Sequence, residues 1–348
     1  MANLESSASF PLAAARYHGD QAAEPGMLDF AVNVRQARPP SWLTDRLAAR
    51  LPDLGRYPGA DDERAAHSAV AARHGRAVDE VAVLAGAAEG FALLANLRPT
   101  LAALIAPSFT EPDAALRSAG VAVRHVVLDP PFGLAGVRVP DEADLVVVGN
   151  PTNPTGVLHT REQIRSLRRP GRIVVVDEAF ADAVPGEPES LAGESLPDVL
   201  VLRSLTKTWS LAGLRVGYAL GAPDVLTRLT ATRPHWPVGT LQLTATAACC
   251  APEAVAEAEA GARRLTAMRA EMVAGLRSAG IETVDGDAPF VLFTVGDAAL
   301  MRKHLHTKGI AVRRCDTFVG LDGHYLRATV RAEWPLLVEA IADSGVAR

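Results

Sequence analysis

Between about residues 60 and 245 the chain repeats one pattern, a short apolar run followed by a polar or amphipathic stretch. The runs are "VAVLAG", "LAALIAP", "AVRHVVLD", "DLVVVGN", "RIVVVDEA" and "DVLVLRS". They are rich in β-branched residues and nearly uniform in hydrophobicity. A strand with one wet face alternates apolar and polar positions, whereas a strand covered on both faces does not. The pattern therefore predicts an α/β fold whose parallel or mixed sheet carries helices on both sides. Helical patterns such as "EPDAALRSAG" and "TREQIRSLRRPG" lie between the runs, the second opened by Thr160 as N-cap with Gln163 three residues on. After Pro252 a long helical pattern leads into a second α/β group: "PFVLFTV", "ALMRKHLHTKG", "IAVRRC", "YLRATV" and "WPLLVEAIADSG". A chain of 348 residues exceeds most single cores. It reads as a large domain over residues 46–250 and a small one over 251–348, with residues 1–45 as an arm joining the small domain.

The net charge of −5 with scattered arginines argues against nucleic acid as a partner. No apolar run is long enough to span a bilayer, and the amino terminus lacks the charged start and apolar core of a signal peptide. Cys249, Cys250 and Cys315 form no CxxC pair, the usage of a reducing, cytoplasmic compartment. The first two read as a buried helix face. Nine histidines show no metal-ligand spacing.

Chemistry-bearing residues follow the strands. "LVVVGN" runs into "NPTNPTG", "IVVVDEA" ends on Asp177 and Glu178, and "VLVLRS" runs into "SLTK". Ligand sites of open α/β sheets form at the carboxyl ends of the strands. An amide, a carboxylate and an amine thus converge on one edge. A lysine amine that condenses with a carbonyl, beside a carboxylate and a phosphate anchor, suits pyridoxal phosphate. Lys207 is the candidate for the covalent link and Asp177 for the pyridine nitrogen. Ser204, Thr206 and Arg215 would form the phosphate cradle, and Asn153 would donate to the ring oxygen. "LAGAAEGFALLANL" offers a further phosphate contact, because a strand ends at Gly86 and a helix pattern begins near Glu89. A plain strand-to-helix turn would look the same.

The stretches "NPTNPTG", "VVVDEAF" and "SLTKTWSLAGLRVGY", in this order, resemble the fold type I aminotransferases. The chain is most similar to the histidinol-phosphate aminotransferase branch and its relative, the threonine-phosphate decarboxylase of cobalamin biosynthesis. The likeness extends from "RYHGDQ" and "YPGADDERAAHSAVAARHG" to "YLRATVR". It implies a large domain with a mainly parallel sheet sandwiched by helices, a smaller α/β domain, pyridoxal 5'-phosphate on Lys207, and a homodimer. It implies backbone help for the phosphate at Ala87 and Ala88, and Phe109 stacking on the ring unless it is a core residue. Tyr57 would reach the phosphate of the neighbouring subunit, or else is a surface turn aromatic. Arg313 and Arg327 would grip the anionic end of the substrate, with Arg314 leaving the register open by one. Asn33 is a possible substrate contact or a loop asparagine, because the surrounding "NVRQARPP" departs from the family pattern. Phe180 stands where many members carry a tyrosine. The implied activity is transfer of an amino group from a small phosphorylated amine, histidinol phosphate, to a 2-oxo acid; the alternative is decarboxylation of threonine phosphate.

Overall fold

The computed structural model describes residues 3–6, 19–34 and 36–345. The positions Arg16, Tyr17 and His18 of "RYHGDQ", and much of the amino-terminal arm, lie outside them. The six apolar runs become β3 (Val81–Leu84), β4 (Leu101–Ala106), β5 (Ala122–Val127), β6 (Leu145–Gly149), β7 (Ile173–Asp177) and β8 (Val199–Ser204). Two further strands complete the sheet, β1 (Asn3–Ser6) and β9 (Gly217–Leu220). The order is β1-β5-β4-β6-β7-β8-β9-β3. The five central strands β5, β4, β6, β7 and β8 are parallel, while β9 runs antiparallel to both β8 and β3, and β1 antiparallel to β5.

Uniform hydrophobicity in these strands has the cause expected of it. Val146 and Val148, Val174 and Val176, and Val199 and Val201 enter the core on one face of the sheet. Leu145 and Val147, Val175, and Leu200 and Leu202 enter the core on the other. Each such side chain contributes about 1.5–3 kcal/mol by burial. The Thr160 capping box forms as the residues require: the hydroxyl accepts from Gln163 N, and Gln163 Oε1 accepts from Thr160 N. Its helix covers only Arg161–Arg165.

The long helix Pro252–Ser278 leads to the second core. There β10 (Phe290–Thr294), β13 (Tyr325–Thr329) and β12 (Arg313–Arg314) form an antiparallel sheet. Strand β11 (Ile310–Ala311) pairs in parallel with β2 (Leu28–Asp29), so part of the arm adds to this second unit, whereas β1 pairs with the edge of the large sheet.

Candidate active site

Strand β7 ends on Asp177, β8 on Ser204, and β6 opens into the turn carrying Asn153. All three line one cavity of about 540 Å³, together with Lys207, Thr206 and Arg215. Of the two asparagines in "NPTNPTG", Asn150 secures the loop, donating to His159 O at 3.1 Å and accepting from His159 N at 2.8 Å. That division leaves Asn153 at the cavity.

The Ser204 and Thr206 hydroxyls are 2.6 Å apart and buried. The helix Ala87–Leu93 starts two residues earlier than its polar pattern suggested, so the N–H groups of Ala87 and Ala88 belong to its first turn. First-turn N–H groups lack intrahelical acceptors and favour an anion. Gly86 makes room for this arrangement. Its φ is +83°, and a Cβ there would lie 3.2 Å from Arg215 Nη2. Glu89 holds the loop from behind, accepting from Ala85 N at 2.6 Å and pairing with Arg233 at 2.9 Å.

The electrostatics follow from burial. Asp177 is pushed up to about 6, chiefly by desolvation and against the donating N–H of Ala179. Lys207 is brought down to about 8 by desolvation, with Arg327 and Arg215 pushing the same way and Asp177 opposing. A buried carboxyl and a buried amine are thereby drawn toward neutrality from opposite sides.

Arg313 and Arg327 both line the cavity and are 3% and 4% exposed. Arg327 donates to Asn153 Oδ1 and, at 2.7 Å, to Ala31 O, while its Nε is buried with no partner among the described residues. Burial brings this guanidinium down to about 10. Arg313 donates to Thr317 Oγ1 at 2.8 Å and lies over the Phe318 ring. Arg314 turns away and pairs with Asp316 in a more exposed position. Strand alternation decides the register: adjacent residues of β12 face opposite ways.

Phe109, Asn33 and Phe180 also line the cavity. Asn33 is buried and accepts from Thr329 Oγ1 at 2.8 Å. Phe180 packs edge-on against Phe290. Tyr57 is absent from this cavity; it is 72% exposed and stacks on Trp236 with ring centroids 4.0 Å apart. Cys249, Cys250 and Cys315 are free and buried, and the described residues contain no cluster suited to a metal ion.

The run "VLVLRS" concealed one feature. Arg203 is 1% exposed and bonds Glu178 at 3.0 Å, Glu187 at 2.6 Å and Asp182. Arg73 joins Asp182 and Glu187 from a neighbouring helix. An arginine inside an apolar strand was the visible signal, because a buried guanidinium requires carboxylate partners. The network ties the "DEAFADA" segment after Asp177 to the strand that leads to Lys207.

Residues 25–341 match the family model for class I and II aminotransferases. The chain is 71% identical to a histidinol-phosphate aminotransferase of Mycobacterium tuberculosis, over 99% of this chain and 93% of that one. It is 29% identical to a threonine-phosphate decarboxylase of Salmonella typhimurium, over 88% of this chain and 87% of that one. The structure superposes on a histidinol-phosphate aminotransferase from Clostridium acetobutylicum with a TM-score of 0.82 and 22% identity, covering 91% of this chain and 98% of that one. The fold is that of the fold type I enzymes, and the chain belongs to the class I and II aminotransferase family.

Proposed function

We propose that this aminotransferase moves the amino group of histidinol phosphate to a 2-oxo acid, using pyridoxal phosphate held by Lys207. One observation carries the reading: two sets of anion donors share one cavity with a half-buried lysine. The Ser204, Thr206 and Arg215 set, with the N–H groups of Ala87 and Ala88, fits the cofactor phosphate. The Gly86 geometry supports this fit, since any side chain there would crowd Arg215. Asp177 fits the pyridine nitrogen, Asn153 the ring oxygen and Phe109 the ring face. When bound, the cofactor supplies an electron sink that makes the hydrogen on the substrate's α-carbon acidic. Lys207 then carries that proton between carbons, a task suited to an amine whose affinity for protons burial has reduced.

Arg313 and Arg327 form the second set, with Asn33 beside them. Planar guanidinium forks match phosphate or carboxylate oxygens. The same pair therefore suits the phosphate of histidinol phosphate and the carboxylates of an acidic 2-oxo acid such as 2-oxoglutarate. The 71% identity to a histidinol-phosphate aminotransferase supports this substrate over threonine phosphate. A homodimer is inferred as well, because Tyr57, Trp236, Leu51 and Leu54 are exposed apolar side chains, and the family resemblance would have Tyr57 serve the phosphate cradle of the neighbouring subunit. Three buried free cysteines fit a reducing cytoplasm.

The test is direct. Purified protein with histidinol phosphate and 2-oxoglutarate should form glutamate in step with substrate loss. Unphosphorylated histidinol should bind about 10–100-fold more weakly, the cost of leaving a buried guanidinium unpaired. Carbon dioxide from threonine phosphate, without any oxo acid, would overturn the assignment.

A further inference from the structure

Behind the active-site cavity lies a second, smaller chamber of about 60 Å³. Both are lined by Lys207, Asn33, Ala179 and Phe180, so the lysine stands between them. The inner wall of the chamber includes the buried residues Asp182 and Trp209. Its outer wall includes Gln36, Glu257 and Arg264, all exposed. The chamber thus joins exposed side chains to Lys207.

Its chemistry suits water. Thr208 donates to Asp182 Oδ2 at 3.3 Å, and Glu257 accepts from Trp42 Nε1 at 3.0 Å. Trp209, 2% exposed, closes the inner wall with its ring. A single water needs roughly 10–15 Å³ of such volume, so the space accepts a few.

We propose that this chamber is a water-filled passage through which the proton carried by Lys207 exchanges with solvent. Cofactor and substrate would fill the larger cavity, which leaves the chamber open to water beside Lys207. Lys207 Nζ takes one proton and returns one; between these events, its N–H bonds break and re-form against water with no net change in charge. The inference rests on the proton-carrying role proposed for Lys207.

Two measurements test it. In D2O with glutamate as amino donor, proton NMR should show α-hydrogen exchange several-fold faster, relative to the half-reaction, in the wild type than in Gly261→Leu. Gly261 lines the chamber within a helix, and a Cβ there meets nothing closer than 3.8 Å, so leucine fills space without straining the backbone. An equal ratio in both proteins would overturn the proposal. A crystal structure of the cofactor-free protein should show ordered water in the chamber beside Asp182, Thr208 or Glu257, lost in Gly261→Leu; a dry chamber would equally overturn it. The crystallographic result does not depend on whether glutamate reacts, so failure of the passage is distinguishable from failure of the Lys207 role.

Discussion

Burial is what makes Lys207 reactive at ordinary pH. An unperturbed lysine with a pKa of about 10.5 has roughly one neutral amine in three thousand at pH 7, whereas a value of about 8 gives about one in ten. Only the neutral amine attacks a carbonyl. Covalent capture of pyridoxal phosphate by the cofactor-free protein should therefore accelerate about tenfold per pH unit below 8 and level off above it. Stopped-flow absorbance measures this. A rate still rising at pH 10 would show the amine to be unperturbed. Asp177 shows the opposite sign for the same reason, since desolvation disfavours the charged form of acid and base alike.

At the scale of elements, the site depends on the strand-to-helix turn at Gly86. Its φ of +83° and ψ of 160° belong to a region open almost only to glycine. Gly86→Ala should cost about 1–3 kcal/mol of stability. It should also weaken cofactor binding tenfold or more, because the new methyl meets Arg215 Nη2 at 3.2 Å. Thermal melting and spectroscopic titration check the two effects. An unchanged cofactor affinity would remove Arg215 and this turn from the phosphate cradle. Strand β9 contributes from the other side: a Cβ at Gly217 would lie 2.8 Å from Ala87 N, so the backbone of β9 backs the helix start.

For the whole molecule, the question is what covers Tyr57. Its ring stacks on Trp236 but remains mostly exposed, with Leu51 and Leu54 exposed nearby. Exposed aromatic clusters of this kind mark contact surfaces. Trp236→Asp should convert a dimer to a monomer at micromolar concentration in sedimentation, and should lower cofactor affinity at the same time by withdrawing the partner's Tyr57. A wild-type protein that is a fully active monomer would refute both the dimer and the role of Tyr57.

The α/β class, the places of the six runs and most cavity-lining candidates were legible in the sequence, because each rests on local chemistry. Covered strands must be uniformly apolar, and short loops at their ends present polar residues a few positions later. Strand β9 was not legible, since "GYAL" is short and its pairing depends on distant β3 and β8. The choice of Arg313 over Arg314 needed the pairing of β12 with β13, which sets the facing of both residues. Arg203 did not stand out in the sequence, because its carboxylates come from residues 178, 182 and 187. The chamber behind Lys207 is lined by residues as far apart as Asn33 and Pro289. Local sequence determines which residues stand at strand ends, whereas register and enclosed space arise only when distant segments pack, and these decided which arginine shares the cavity and which void borders the lysine.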